Sequence, residues 1–169
     1  LGKVEIPLKI TKIINNYWDH IICDSENVKN ILIETYNVKP DKITVVHNGV
    51  PTFLKPTKKN KVLLDKFELK GNFVLLYMGF FSKRKNPLFM VDVLSNLIKK
   101  DKNVVLIYWG KGELKQEIIK RAKEKKVYSN IRFIDPKFGS VKNKVHNLAD
   151  IFVHPSLDEG FALAPLEAM

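Results

Sequence analysis

Two carboxylates and three cations carry the chemistry most legible in this sequence. Glu159 and Glu167 bracket seven mostly small or apolar residues in PSLDEGFALAPLEAM, residues 155–169. Lys83, Arg84 and Lys85 are consecutive in GFFSKRKNP, residues 79–87. Carboxylates accept hydrogen bonds from hydroxyl groups, which polyols present. Adjacent cations draw an anion such as phosphate, and one charge-assisted hydrogen bond to it is worth about 1.5–3 kcal/mol. Asn86 and Pro87 have the residue types of an N-cap and a first helical position, so a helix N-terminus would add to the same anion site. Gly79 suits a tight exit from a strand, and Gly160 a close approach of backbone to ligand. Each feature has a plainer reading. With Ala164 as N-cap and Pro165 at N1, Glu167 falls at N3, where an acid stabilises a helix by itself. Glu159 is then a surface acid, and the three cations form a solvated turn.

What would bring these residues together is a pattern of alternating elements. Residues 8–18 read as a helix, HIICD (20–24) as a short buried strand, and Ser25 as the cap of a helix over 26–37. KITVVH (42–47) is a β-branched strand that runs into an Asn48-Gly49 turn, and VPTFLKPTKKNK (50–61) has the composition of a linker. Strands follow at 73–78, 104–109, 131–134 and 150–155, separated by helices over 87–99, 113–126 and 140–148. In the first of these helices Leu88, Val91, Leu94 and Ile98 share a face; in the second Leu114, Ile118 and Ala122 do. A further helix is expected to begin near Pro165. Strands spaced by such helices predict a parallel, doubly wound α/β sheet of Rossmann-like type. Right-handed crossovers and the usual 3-2-1-4 order make the strands at 73–78 and 150–155 neighbours. The loops after them, 79–87 and 156–165, then meet at the topological switch point, where ligands bind in such sheets.

Composition narrows the field. Hydrophobic residues make up 45% of the 169, enough for a packed core. The net charge is +11, and residues 1–50 contribute none of it, with six basic and six acidic residues. The positive potential therefore lies in residues 51–169, and two domains are expected, 1–50 and 51–169. Such potential suits phosphate-bearing ligands, nucleic acid or an acidic membrane surface, or merely solvated lysines. Residues 111–126, with seven basic and three acidic side chains, are the candidate membrane contact. A single cysteine, Cys23, offers no disulfide framework and suits a reducing, cytoplasmic compartment. No clustered Asp/His set suggests a metal site. His20, His146 and His154 have no partner pattern and read as structural.

PSLDEGFALAPLEAM resembles the signature of the retaining glycosyltransferases of family 4, which have the two-domain GT-B fold. That signature places a Glu, seven residues and a second Glu, usually as P-S-x-x-E-G-F-G-L-x-x-L-E-A-M; Ala162 stands here where Gly is common. DHIICDSENVKNIL, ITVVHNGV, LLYMGFFSKRKNP and VLIYWGKGE resemble other elements of the family, in order, so the likeness spans nearly the whole chain. The resemblance implies transfer of a hexose from a UDP- or GDP-sugar to an acceptor hydroxyl of a glycan or lipid-linked molecule, with retention of the α configuration. It implies that Lys85 contacts the donor diphosphate, that Glu167 holds the ribose hydroxyls, and that Glu159 lies by the transferred sugar. Catalytic roles would fall to Glu159 and Lys85. Gly79, Arg84 and the Gly160, Phe161, Ala162 and Leu163 segment would complete the donor site. No cofactor and no metal ion are expected, since side chains and helix N-termini neutralise the leaving diphosphate. The base pocket is expected near Ile134-Asp135. One position departs from the pattern: Phe80 stands where the family usually has an Arg that clamps the diphosphate, and Arg84 or Lys83 would have to replace it. His47 stands where Pro is common. The chain reads as part of a longer protein: the end of an acceptor-side domain and most of a donor-binding one, unable to catalyse alone.

Three rival readings remain at this level. WGKGELK offers G-x-G after a strand, as in dinucleotide-binding proteins, but Lys115 occupies the third glycine position and the strand is not the first of its unit. A basic nucleic-acid-binding domain would use the +11 surface, yet no nucleic-acid motif is present and no such partner is expected. The third is a nucleotide-sugar-binding protein without turnover, suggested by Phe80.

Overall fold

The computed structural model describes residues 17–137 and 139–169. The chain divides into two compact units, residues 1–49 and 50–169. In the first, β1 (Ile21–Cys23) pairs in parallel with β2 (Ile43–Val45). Between them runs α1 (Glu26–Glu34), and the Ser25 hydroxyl accepts from the Val28 N–H at 3.2 Å as its cap. Cys23, Val38 and Ile43 form a small core with Val28, Leu32 and Tyr36. Two histidines have structural partners here: His20 Nε2 lies 2.7 Å from the Thr44 hydroxyl, and His47 Nδ1 lies 3.1 Å from the Asp24 carbonyl. The helix expected over 8–18 falls almost wholly outside the described residues.

The second unit is a four-stranded parallel sheet. Its strands are β3 (Phe73–Met78), β4 (Val104–Trp109), β5 (Ile131–Ile134) and β6 (Ile151–Phe152), in the order β5-β4-β3-β6. This is the doubly wound order expected, and every pairing is parallel. The last strand is shorter than the 150–155 anticipated. Two further bonds, Asp150 N–H to Val74 O at 2.9 Å and Val153 N–H to Leu76 O at 2.8 Å, continue its ladder.

β3 and β4 are buried on both faces, as central parallel strands must be. Leu75, Tyr77, Leu106 and Tyr108 face α3 (Pro87–Ile98) and α4 (Lys115–Glu124), where Met90, Val91, Leu94, Ile118 and Ala122 close the layer. Met90 replaces Leu88 and Ile98 at the centre of the α3 face; those two are only half-buried. Asp92 joins the two helices by accepting from Arg121 Nη2 at 2.6 Å and Lys125 Nζ at 3.1 Å, so two cations of the basic 111–126 segment are already paired.

Val74, Leu76, Met78, Val105, Ile107 and Trp109 form the other layer, under α2 (Lys61–Lys66) and α5 (Ser140–His146). The helix α2 was not anticipated in the lysine- and proline-rich stretch before β3. Asn60 caps it, accepting from the Leu63 N–H at 3.0 Å, and Leu63, Leu64 and Phe67 pack it onto the sheet. The segment before it is tied down rather than free. Asn143 of α5 and Asn147, its C-cap, accept from the N–H groups of Lys55 (3.0 Å) and Thr57 (2.6 Å), and the Asn147 amide donates to the Lys55 carbonyl.

The two glycines of WGKGE bring the loop after β4 against the loop after β3. Phe81 N–H donates to Lys111 O at 2.8 Å, and Leu114 N–H donates to Phe81 O at 3.1 Å. A Cβ on Gly110 would overlap the Gly79 carbonyl oxygen, and one on Gly112 would sit 2.6 Å from the Phe81 nitrogen and oxygen. Close packing of the two loops is what these glycines permit. Gly110→Ala is expected to cost about 1–3 kcal/mol, the usual penalty of overpacking; the denaturant midpoint of the variant checks it.

Candidate functional site

The loops that follow β3 and β6 meet because those strands are neighbours. After β3, Gly79 continues the ladder by donating to Trp109 O at 3.1 Å, without the positive φ that a sharp exit would have used. Phe80 and Phe81 then part company. Phe81 is fully buried beside Tyr77 and Tyr108, whereas Phe80 is 54% exposed. Residues 82–86 make a turn in which the N–H groups of Lys85 and Asn86 donate to the Ser82 carbonyl. Asn86 ends it in the left-handed region (φ 49°, ψ 47°) and, contrary to expectation, its side chain does not cap α3. Asn tolerates that conformation better than other non-glycine residues.

Tyr77, which the sequence marked only as part of a strand, organises this loop. Its hydroxyl lies 3.1 Å from Phe80 O and 3.3 Å from Lys85 O, reaching both ends of the turn that carries the cations. Burial, and then the negative charge of Glu159, push this hydroxyl far above the ordinary phenol range, so it stays a donor. Tyr77→Phe removes that donor from both carbonyls. It is expected to destabilise the protein by about 1 kcal/mol, and to raise hydrogen exchange in the 80–86 turn, which amide exchange would read.

The second loop fits onto the first. Leu157 N–H and the Ser156 hydroxyl both donate to Arg84 O, at 2.9 and 3.2 Å. Arg84 Nη1 donates to Asp158 O and to Glu159 Oε2, each at 2.9 Å. Lys85 Nζ pairs with Glu159 Oε1, and His154 Nε2 lies 3.0 Å from the same oxygen. Burial alone would raise the Glu159 carboxyl; the Lys85 ammonium, Ser156 and Arg84 more than offset it and bring it down to about 2. Glu159 is therefore an ionised, half-buried carboxylate at the end of β6, facing cations from the end of β3. Lys83 points elsewhere and lines a small groove with Pro87, Leu114 and Glu117.

Glu167 has a separate setting. It belongs to α6 (Leu163–Ala168), which starts two residues earlier than its proline suggested. Ala162 is the N-cap, so Pro165 falls at N3 and Glu167 at N5, and the N3 stabilising role does not apply. Lys142, from the first turn of α5, pairs with both Glu167 oxygens, and its ammonium stands 5.8 Å from the Trp109 ring centroid at the end of β4. Glu167 is the better shielded carboxylate, its side chain 11% exposed against 18% for Glu159. Lys142 was not singled out in the sequence, where it is one lysine among many. Of the other predicted residues, Gly160 is exposed, Phe161 and Ala162 are half-buried in the loop, and Leu163 opens α6. Ile134 packs beside Trp109, with Asp135 following at the strand end. His146 is a packing residue: its ring lies 6.0 Å from that of Phe152, and burial lowers its pKa. Among the described residues no cluster of His, Cys, Asp and Glu could hold a metal ion, and no helix is long and apolar enough to cross a membrane.

A doubly wound parallel sheet with a cationic and an acidic loop at its switch point is the α/β architecture of one half of a GT-B protein. The match to known families agrees with it: the chain belongs to the glycosyl transferases group 1 family, which it matches over residues 58–169, and it matches glycosyltransferase family 4 over residues 5–53. It is 30% identical over 161 residues to the UDP-Gal:alpha-D-GlcNAc-diphosphoundecaprenol alpha-1,3-galactosyltransferase of Escherichia coli, covering 88% of this chain and 39% of that one. It is 29% identical over 154 residues to the capsular polysaccharide biosynthesis glycosyltransferase CapM of Staphylococcus aureus, covering 88% and 40%. The fold also matches Anabaena HepE, solved in complex with UDP and glucose, at a TM-score of 0.82 with 16% identity, covering 99% of this chain and 47% of that one. The chain thus spans about two fifths of the length of these curated relatives.

Proposed function

We propose that the intact protein is a glycosyltransferase that moves a hexose from a nucleoside diphosphate sugar to an acceptor hydroxyl with retention of the α configuration, and that residues 50–169 supply its donor side. The observation that carries this reading is the Lys85–Glu159–Arg84 cluster between the ends of β3 and β6. A departing diphosphate needs positive charge where its own charge develops, and fixed cations in a partly desolvated site provide it. Lys85 and Arg84 take that part, with Arg84 in place of the arginine that Phe80 displaces. Glu159 receives hydroxyls of the transferred sugar, and Glu167 those of the ribose. A carboxylate has about four lone-pair sites, so Lys142 leaves Glu167 with capacity for a diol. Because these cations stand where charge develops, turnover is expected to survive chelators. The relatives favour a glycan or lipid-linked acceptor: one acts on a diphosphoundecaprenol-linked sugar, another in capsular polysaccharide biosynthesis.

The test is calorimetric titration of the intact protein with UDP- and GDP-sugars, followed by nucleotide release with and without acceptors and NMR assignment of the product anomer. Binding with acceptor-stimulated release and an α product is the expected result. An inverted product would remove retention alone. No binding to either nucleotide would sink the reading. A second reading, donor binding without turnover, is favoured by exposed Phe80 at the arginine position; binding without acceptor-stimulated release would establish it.

A further inference from the structure

We propose that His154 is a positioning residue whose imidazole holds the Glu159 carboxylate in the orientation that meets the donor sugar. This rests on the donor-site reading above. His154 lies two residues past the end of β6, and its ring stacks on that of Phe152, 6.3 Å between centroids and 13° between planes. Its side chain is 15% exposed, so packing sets the ring. Glu159 can only accept at the 3.0 Å contact, so Nε2 carries the hydrogen. In the neutral ring that leaves Nδ1 bare.

The other groups facing Glu159 are Lys85, Arg84, Ser156 and the Tyr77 hydroxyl. Lys85 and Arg84 are long side chains on the opposite loop, and they are the cations a diphosphate would engage. A donor that recruits them takes from Glu159 its two charged partners. His154 is anchored in the same loop as Glu159 and has no competing role. The Ser156 hydroxyl is shared with the Arg84 and Asp158 carbonyls, so the imidazole is the ring-held donor that stops the carboxylate from turning away. In the sequence His154 had no partner pattern; the path of the loop after β6 brings Glu159 back onto it.

Two variants of the intact protein separate the possibilities. His154→Phe keeps an aromatic ring against Phe152 and removes the N–H. His154→Gln keeps an N–H donor. Removing one hydrogen bond to a charged group is expected to lower kcat about tenfold or more in His154→Phe, with KM for the donor changed about twofold at most. His154→Gln should recover most of that loss. A readout that needs no donor is the imidazole 15N spectrum of the histidine-labelled protein: His154 should be the Nε2–H tautomer, and its shifts should move in Glu159→Gln. Wild-type kcat in His154→Phe, equal losses in both variants, or an Nδ1–H tautomer would overturn the proposal while leaving the donor site standing. Failure of the wild type to bind UDP, GDP or their sugars would instead overturn the donor-site reading, and this inference with it.

Discussion

Lys85→Ala is expected to slow sugar transfer by about 10²–10³-fold in the intact protein, the range seen when one preorganised charge-stabilising group is removed from an active site. The lysine has two tasks that cannot both be inherited. It is the better shielded of the two cations on Glu159, its side chain 19% exposed against 52% for Arg84. It therefore interacts in a lower effective dielectric and loses less to screening. In the proposed reaction it also faces the diphosphate. Arg84 retains one contact to Glu159 but lies nearer solvent, so it replaces only part of the field. The loss should fall mainly in kcat, since charge on the leaving group is largest in the transition state. Lys85→Arg should recover part of it. An unchanged kcat in Lys85→Ala would remove the lysine from the mechanism.

The same variant makes a pH prediction with a definite sign. The Glu159 carboxyl is lowered from the ordinary 4.5 to about 2 in the folded protein. A group depressed on folding stabilises the native state above its unfolded pKa, and that contribution is lost as pH falls through the folded value. For Glu159 the window runs from about pH 4.5 down to about 2. Without Lys85 the largest lowering influence is gone while burial remains, so the carboxyl titrates higher and the loss begins at higher pH. Carboxyl 13C titration of the wild type and the variant would reveal the upward move. An unmoved curve would mean that the lysine does not hold this carboxylate in solution.

Glu167→Ala is expected to weaken nucleotide binding by about 10–10²-fold, the worth of one or two hydrogen bonds from hydroxyls to a charged acceptor. The affinity loss should appear with UDP or GDP alone, because the proposed contact is to ribose and not to the transferred sugar. Lys142 would be left facing Trp109 without its carboxylate, which adds a stability cost. The pair Glu167→Ala with Lys142→Met distinguishes the two effects. If the affinity loss came only from a stranded lysine, the double variant would regain it; if Glu167 itself grips the ribose, it would not. Calorimetry with both nucleotides, beside the melting temperature of each variant, reads both quantities.

Much of this was readable in the chain. The bounds of β3, β4 and β5 fell where runs of β-branched, aromatic and aliphatic residues met turn signals. Their order followed from crossover handedness, which leaves few topologies for strands that alternate with helices. The meeting of the 79–87 and 156–165 loops was a consequence of that order alone. What failed were the features decided by remote partners. The stretch before β3 has the charge and prolines of a linker, yet Asn143 and Asn147, about ninety residues away, hold the backbone of Lys55 and Thr57, and Asn60 caps α2. Pro165 promised a helix start, but Ala162 became the cap, a matter of one or two residues that short helices settle by packing.

The sequence by itself determined the parallel sheet, the switch point and the residue types gathered there, because continuous apolar runs at helix-length spacing admit few other arrangements. Only the tertiary structure decided who pairs with whom. Glu159 meets Lys85 and Arg84 from a loop some seventy-five residues earlier, Glu167 meets a lysine that nothing local marked, and Tyr77 turns from strand residue into the tie of the cationic loop. Periodicity is a local property, set by neighbours along the chain. Side-chain partners depend on which strand ends lie side by side and on angles within a loop, and those exist only once the sheet has formed.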